Sequence, residues 1–390
     1  MYIHRVKSGE TIYGIAGEYG ISPIKLAADN ELADGGRLAV GRELLILRPT
    51  RSYTVRTGDT LGTISKRFGI PKEELMLKNP ELREEGRLYQ GQPITLRCGE
   101  PTFGIGVGNG YLYSGCSRER LMRAFPFLSF LTVACCVGDS GRIRKIFDGA
   151  DALEEAKRRG KTPLLRIYVP STDKADLSEY VDAGSILART EGYAGITLSN
   201  VGSYTRDEVL EGRRTMMERD LLFYGEGELT SPGETNELID GIVLNYDKVH
   251  MESIPSFTEG EEAAMRSYCE RCECGGAFLE LSAFSRIGDK LVEKLRGSAL
   301  ADRMGATLEY DRDRLLLGGE LGRGKKSRRL IAESLENTKA KLRLISELGF
   351  MGIAFDIMRT PLCELEMFSS LFSRPSTVYG GTVCNPVSYP

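Results

Sequence analysis

Gly192-Tyr-Ala-Gly-Ile-Thr-Leu-Ser-Asn-Val201 reads as one buried parallel strand. Glycines at 192 and 195 open it, and an apolar, β-prone run follows. Side chains alternate along a strand, so Thr197, Ser199 and Val201 share one face, and Ile196 and Leu198 the other. Similar strand-like stretches recur on both sides of it. They are Phe103–Val107, Phe127–Cys136, Pro163–Val169, Leu221–Tyr224, Gly241–Tyr246, Ala277–Ser282 and Gly352–Ile357. Helical patterns lie between most of them, including Arg118–Ala124, Ala150–Arg159, Asp207–Glu218, Glu261–Glu270 and Ser327–Leu348. Alternating units of this number over about 270 residues predict an α/β fold, a (β/α)8 or TIM barrel. The barrel is expected over 101–375, with a tail at 376–390. A doubly wound open sheet is the competing arrangement.

The chain before residue 100 contains an internal repeat of about fifty residues. The first copy runs from His4-Arg-Val-Lys-Ser-Gly9-Glu10-Thr11-Ile12 through Gly20, Leu26, Asn30, Leu38 and Gly41 to Leu47. The second runs from Tyr53-Thr-Val-Arg-Thr-Gly58-Asp59-Thr60-Leu61 through Gly69, Leu75, Asn79, Leu88 and Gly91 to Leu96. Each reads as a small α+β unit, strand, helix, helix, strand, over 2–47 and 52–97. Glu10-Thr11 and Asp59-Thr60 mark helix starts. Arg48–Ser52 and Cys98–Pro101 read as linkers whose Pro and Gly suit a domain boundary.

The repeat resembles the lysin motif (LysM), whose members bind N-acetylglucosamine in peptidoglycan and chitin. In that family the sugar lies in a shallow groove between the first turn and the loop before the second strand. The resemblance implies contacts from Gly9, Glu10, Thr11, Ile12 and Asn30 in the first copy. In the second it implies Gly58, Asp59, Thr60, Leu61, Asn79 and Pro80. Capping and turning a small fold is the other role open to these residues.

The barrel half resembles glycoside hydrolase family 18, the chitinase-like glycosidases, and within it the LysM-bearing N-acetylglucosaminidases of bacterial spore peptidoglycan. The stretches that carry the resemblance are Gly110-Tyr-Leu-Tyr, Phe127–Thr132, Asp240-Gly-Ile-Val-Leu-Asn-Tyr246-Asp247, Gly305–Asp311, Ser334–Leu344 and Gly349–Asp356. Family 18 enzymes use the substrate's acetamido group as nucleophile, so the protein supplies a Glu as general acid and an Asp beside it. The family's Asp-Gly-x-Asp-x-Asp-x-Glu falls on Ala194, Thr197, Ser199 and Val201, and no acid occurs from Gly192 to Arg206. The position of the family's sugar-flooring Trp is Asp356, and the chain has no Trp. The family's polar second strand is Ala134-Cys135-Cys136 here. Ser199, Asn200, Tyr246, Asp247, Glu309 and Asp356 are the residues expected around the barrel pocket.

Composition sets outer bounds. A net charge of −3 over 390 residues gives no electrostatic case for nucleic acid or an anionic membrane. The apolar run Leu128–Val137 is too short to span a bilayer, and Met1-Tyr-Ile-His-Arg lacks the apolar core of a signal peptide. Nine cysteines, an odd count with no small-domain framework, fit synthesis in a reducing compartment, and only two histidines argue against a Ser-His-Asp or Cys-His site. Cys269, Cys272 and Cys274 form C-x-x-C-x-C without a fourth ligand nearby, so free thiols are expected rather than zinc; no metal or cofactor is expected.

The expectation is a protein that binds peptidoglycan or chitin-like N-acetylglucosamine glycans, with an inactive chitinase-like barrel. The resemblance places it at the spore coat or cortex after cytoplasmic synthesis, with spore coat proteins as further partners. Two other readings stay open. One is an active N-acetylglucosaminidase with a relocated acid among Asp247, Glu309 and Asp356. The other is a purely structural coat assembly protein.

Overall fold

The computed structural model describes residues 1–32, 37–82, 87–173, 175–230, 235–245, 258–272, 276–322 and 324–373. Eight parallel strands form the centre: β1 Val107–Leu112, β2 Phe130–Asp139, β3 Thr162–Tyr168, β4 Gly195–Leu198, β5 Leu222–Glu228, β6 Gly241–Asn245, β7 Ala277–Glu280 and β8 Gly352–Asp356. Each pairs with the next, and β1 pairs with both β2 and β8, which closes the sheet into a (β/α)8 barrel. Val107, Tyr111, Phe130, Leu164, Tyr224, Val243, Phe278 and Ala354 fill its interior. A larger apolar shell lies between the strands and the outer helices. Fully burying one such side chain contributes about 1.5–3 kcal/mol.

Glycine blurred two strand boundaries. β1 starts at Val107, where the expected strand ended. A Cβ at Gly108 would run into the Phe127 carbonyl, and one at Gly110 into Leu128. Strand contact here requires glycine, yet glycine is depleted in strands and carries no β signal. β5 likewise continues past Tyr224 through Gly225-Glu226-Gly227-Glu228.

Between β7 and β8 the chain leaves the barrel. It builds a five-stranded antiparallel sheet from Phe284–Ile287, Lys290–Glu293, Leu308–Asp311, Leu316–Leu321 and Arg328–Glu333. Helix Lys294–Met304 packs on it through Ala301. This insertion corrects the helix expected from Ser327. Arg328–Glu333 pairs with Leu316–Leu321, and the helix is Leu335–Leu348, capped by Ser334 Oγ accepting from Asn337 N. The strand exists because partners sit beside it, which its own pattern does not record.

The two N-terminal units are as expected in order. The first has strands Tyr2–Arg5 and Glu43–Ile46 and helices Ile12–Tyr19 and Pro23–Asp29. The second has strands Pro49–Thr54 and Pro93–Cys98 and helices Leu61–Phe68 and Lys72–Lys78. Each pair of strands is antiparallel and each unit has its own core. The segment expected as a linker at 48–52 is mostly strand.

Neither unit hangs free. Glu31 pairs with Arg120 and accepts from Leu362 N at 2.7 Å. Arg42 pairs with Asp302 of the insertion. In the second unit Glu73 meets Arg159 at 3.2 Å. Strand Glu43–Ile46 is buried on both faces, whereas Pro93–Cys98 keeps a partly open face. Charged side chains and a strand face of the first unit are thus buried against the barrel and its insertion.

Candidate functional site

The residues expected in the first-turn grooves hold that turn in place. Thr11 and Thr60 are N-caps, accepting from Gly14 N and Thr63 N, each at 3.1 Å. Glu10 Oε2 accepts from His4 Nε2 at 2.8 Å and Lys7 N at 2.7 Å. Asp59 Oδ2 accepts from Tyr53 Oη at 2.6 Å and Arg56 N at 2.8 Å. The copies thus trade a long acid with a small ring for a short acid with a large ring. The Tyr53 hydroxyl and the Arg56 backbone hold the Asp59 carboxyl below the usual range.

Asn30 and Asn79 serve the fold. Asn30 Nδ2 donates to the carbonyls of Leu26 and Leu45, and its Oδ1 accepts from Leu45 N. Asn79 repeats this with Leu75 and Thr95. Both are buried, as is Pro80. Gly9, Gly58, Thr11 and Thr60 remain exposed, and Ile12 and Leu61 half-buried, so the open wall of each groove is the first turn itself.

At the C-terminal half of the barrel, the region where such folds place their sites, β4 presents no acid. Thr197 is buried inside, and its Oγ1 has no hydrogen-bond partner. Ser199 Oγ accepts from Val169 N at 2.7 Å and donates to Val169 O at 3.1 Å. Asn200 has a left-handed backbone, φ 56°, and donates to the same carbonyl at 2.6 Å. Val201 is fully buried in the space left by Gly225, whose missing Cβ would meet Val201 Cγ1. Ala194 is half-buried just before β4.

The charged centre of the interior comes from other strands. Arg166 of β3 donates to both oxygens of Glu226 of β5, at 2.5 and 2.7 Å. The rings of Tyr111, Tyr113 and Tyr168 lie 5.5–6.0 Å from the guanidinium. Burial opposes the Arg166 charge, but Glu226 outweighs it and raises the Arg166 pKa further. Burial, with Glu226 nearby, pushes the Tyr111 hydroxyl far above its ordinary value. Tyr111 Oη, Asn109 Nδ2 and Asn245 Oδ1 are buried without hydrogen-bond partners. Glu280 of β7 is half-buried close to this region.

Of the other residues expected at the pocket, Asp356 ends β8. Its Oδ1 accepts from Met358 N and Arg359 N, and its Oδ2 binds Arg359 at 2.6 Å. Glu309 is not at the barrel rim: it is exposed on the insertion sheet, beside a cavity of about 700 Å³ lined also by Arg286, Tyr310 and Arg329. Tyr246 and Asp247 lie outside the described residues, as do Cys274 and the expected tail. Cys269 is disulfide-bonded, which corrects the free-thiol expectation at that residue. Arg166, Glu226 and Glu280 were missed. The signal was present: a charged residue inside an otherwise buried strand is rare unless paired.

Residues 4–47 and 53–97 each match the family model of the LysM domain. The chain carries two LysM domains. The chain is similar to the putative sporulation-specific glycosylase YdhD of Bacillus subtilis, 29% identical over 276 residues, 63% of this chain. The match spans 64% of that protein's length. Among solved structures, the spore cortex-lytic enzyme SleL of Bacillus megaterium superposes with a TM-score of 0.72 at 16% identity, over 96% of this chain and 99% of that one. A chitinase from Chromobacterium violaceum gives 0.59 at 16%, over 68% and 98%. The fold is thus two LysM domains followed by a chitinase-like TIM barrel. Among the described residues no helix is long and apolar enough to cross a membrane.

Proposed function

We propose that this chain binds N-acetylglucosamine glycans of peptidoglycan through its LysM domains and that its barrel does not hydrolyse them. The observation that carries the reading is the pairing of two LysM domains with a barrel whose central carboxylate is spent in an ion pair. A glycosidase of this fold needs a carboxylic acid that delivers a proton to the leaving oxygen. Both Glu226 oxygens already accept from Arg166, and both Asp356 oxygens are held by Arg359 and its turn. Thr197, Ser199 and Val201 occupy the β4 positions and supply no acid.

The relatives' names, a sporulation-specific glycosylase and a spore cortex-lytic enzyme, support a place at the spore wall. There the barrel serves as a binding or assembly surface, with spore coat proteins as candidate partners.

The test uses the full chain on purified spore peptidoglycan. It should sediment with the insoluble wall and release no reducing sugar above a protein-free control. Sugar release abolished by Glu280→Gln or Asp247→Asn would replace this reading with an active hydrolase. Failure to sediment would leave the purely structural reading.

A further inference from the structure

The two LysM domains use one turn in two ways. Before the second strand, each has the same β-turn: Ala39-Val40-Gly41-Arg42 in the first and Tyr89-Gln90-Gly91-Gln92 in the second. Arg42 N donates to Ala39 O at 3.1 Å, and Gln92 N to Tyr89 O at 3.0 Å. Gly41 and Gly91 supply the positive φ, 82° and 86°, that the third position of such a turn requires.

In the first domain this turn is plugged into the insertion. Ala39 N donates to Asp302 Oδ1 at 2.9 Å, and Arg42 pairs with the same carboxylate. Val40 N donates to Ala306 O at 3.2 Å, and Leu308 N to Val40 O at 2.7 Å. A Cβ on Gly41 would run into the Leu308 carbonyl oxygen. Ala39 is 0% exposed, so no larger side chain fits there. In the second domain nothing lies within 4 Å of a Cβ built on Gly91. Tyr89 stands where Ala39 does and is 55% exposed. Gln92 replaces Arg42 and accepts from Tyr89 N at 3.0 Å, which pins the backbone that carries the ring.

We propose that glycan binding belongs to the second LysM domain, with Tyr89 as its stacking platform, and that the first is a docking module for the barrel. The inference rests on the reading above that the LysM domains bind N-acetylglucosamine glycans. An exposed tyrosine offers a flat apolar face at little entropic cost, and a pinned turn removes most of what remains. The apolar face of a pyranose ring suits that platform. The first domain does expose Tyr13, at 79%, beside its own first turn. Among the described residues, the turn that would face Tyr13 across the groove is already committed to Asp302 and Leu308.

The experiment is calorimetric titration of the full chain with the N-acetylglucosamine hexamer, using wild type, Tyr89→Ala, Tyr89→Phe and Tyr13→Ala. Tyr89→Ala should bind about tenfold more weakly or worse, as loss of an anchor does. Tyr89→Phe and Tyr13→Ala should bind as wild type does. Unfolding temperatures should be unchanged throughout, because both rings are solvent-exposed. Wild-type affinity in Tyr89→Ala overturns the proposal, as does an equal loss in Tyr13→Ala. Tyr89→Phe as weak as Tyr89→Ala overturns stacking. A wild type that ignores the hexamer overturns this proposal and the LysM reading beneath it together.

Discussion

Glu43 of the first LysM domain caps a barrel helix that begins 292 residues later: its Oε2 accepts from Leu335 N at 2.6 Å. Its other oxygen accepts from Arg5 Nε at 2.9 Å, and the Arg5 guanidinium lies 3.5 Å from the Tyr310 ring centroid on the insertion. One buried carboxylate therefore ties together the first LysM domain, the outer helix Leu335–Leu348 and the insertion. The N-terminal end of a helix favours negative charge, so the contact is electrostatic as well as geometric.

Glu43→Ala should lower stability by about 0.5–2 kcal/mol, the range for a lost N-terminal acceptor. Protease should also cut faster around residues 47–52, because the first domain loses a tether. Equal unfolding temperatures and cleavage rates in variant and wild type would remove Glu43 from the docking account.

Gly41→Ala and Gly91→Ala test the asymmetry of the turns. Both place a side chain at positive φ, which costs about 1–2 kcal/mol. Only Gly41→Ala also collides with Leu308, so it should be clearly the more destabilising in thermal unfolding. Matching losses in the two variants would mean the first domain's turn is not held by the insertion.

Glu226→Gln removes the charge that balances buried Arg166, and breaking one side of such a pair costs about 3–5 kcal/mol. Replacing both, as Arg166→Met with Glu226→Met, should recover most of that loss. Chemical denaturation of the singles and the double gives the coupling. Additive losses would show that the pair does not organise the interior.

Acid should weaken the joint between insertion and barrel through Glu333. Burial alone would raise its carboxyl, but Lys294 and Lys341, each at 2.8 Å, outweigh burial and bring it to about 2. Its folded value lies below its ordinary one, so its contribution is present above the ordinary carboxylate range and is lost as pH falls through about 2. Glu261 and Glu364, both raised chiefly by burial, act in the opposite sense. Stability measured from pH 5 downward should therefore fall less steeply in Glu333→Gln than in wild type over the range about 4 to 2. Parallel curves would contradict the assignment.

Restoring the β4 acid should fail. Val201→Glu buries a carboxylate against Gly225 and Ile239 rather than adding it to the interior beside Arg166, at a cost of several kcal/mol. The variant should release no sugar from cortex fragments and should unfold at lower temperature. Turnover in Val201→Glu, alone or with Thr197→Asp and Ser199→Asp, would show that productive geometry survives around β4.

The sequence by itself determined whatever depends on near neighbours. The LysM spacing, the caps at Thr11 and Thr60, the number of barrel strands and the lack of acids on β4 are all local patterns. They are legible because alternation and helix-start rules act over two to four residues. Tertiary structure alone decided the rest. Arg166 and Glu226 meet because strand register brings β3 and β5 together across the interior. Strand Arg328–Glu333 exists because Leu316–Leu321 pairs with it. Ala39 and Tyr89 stand at the same point of one turn, yet one is sealed by Asp302 and Leu308 and the other faces solvent. No spacing rule encodes such a difference, because it depends on what a distant part of the chain packs against.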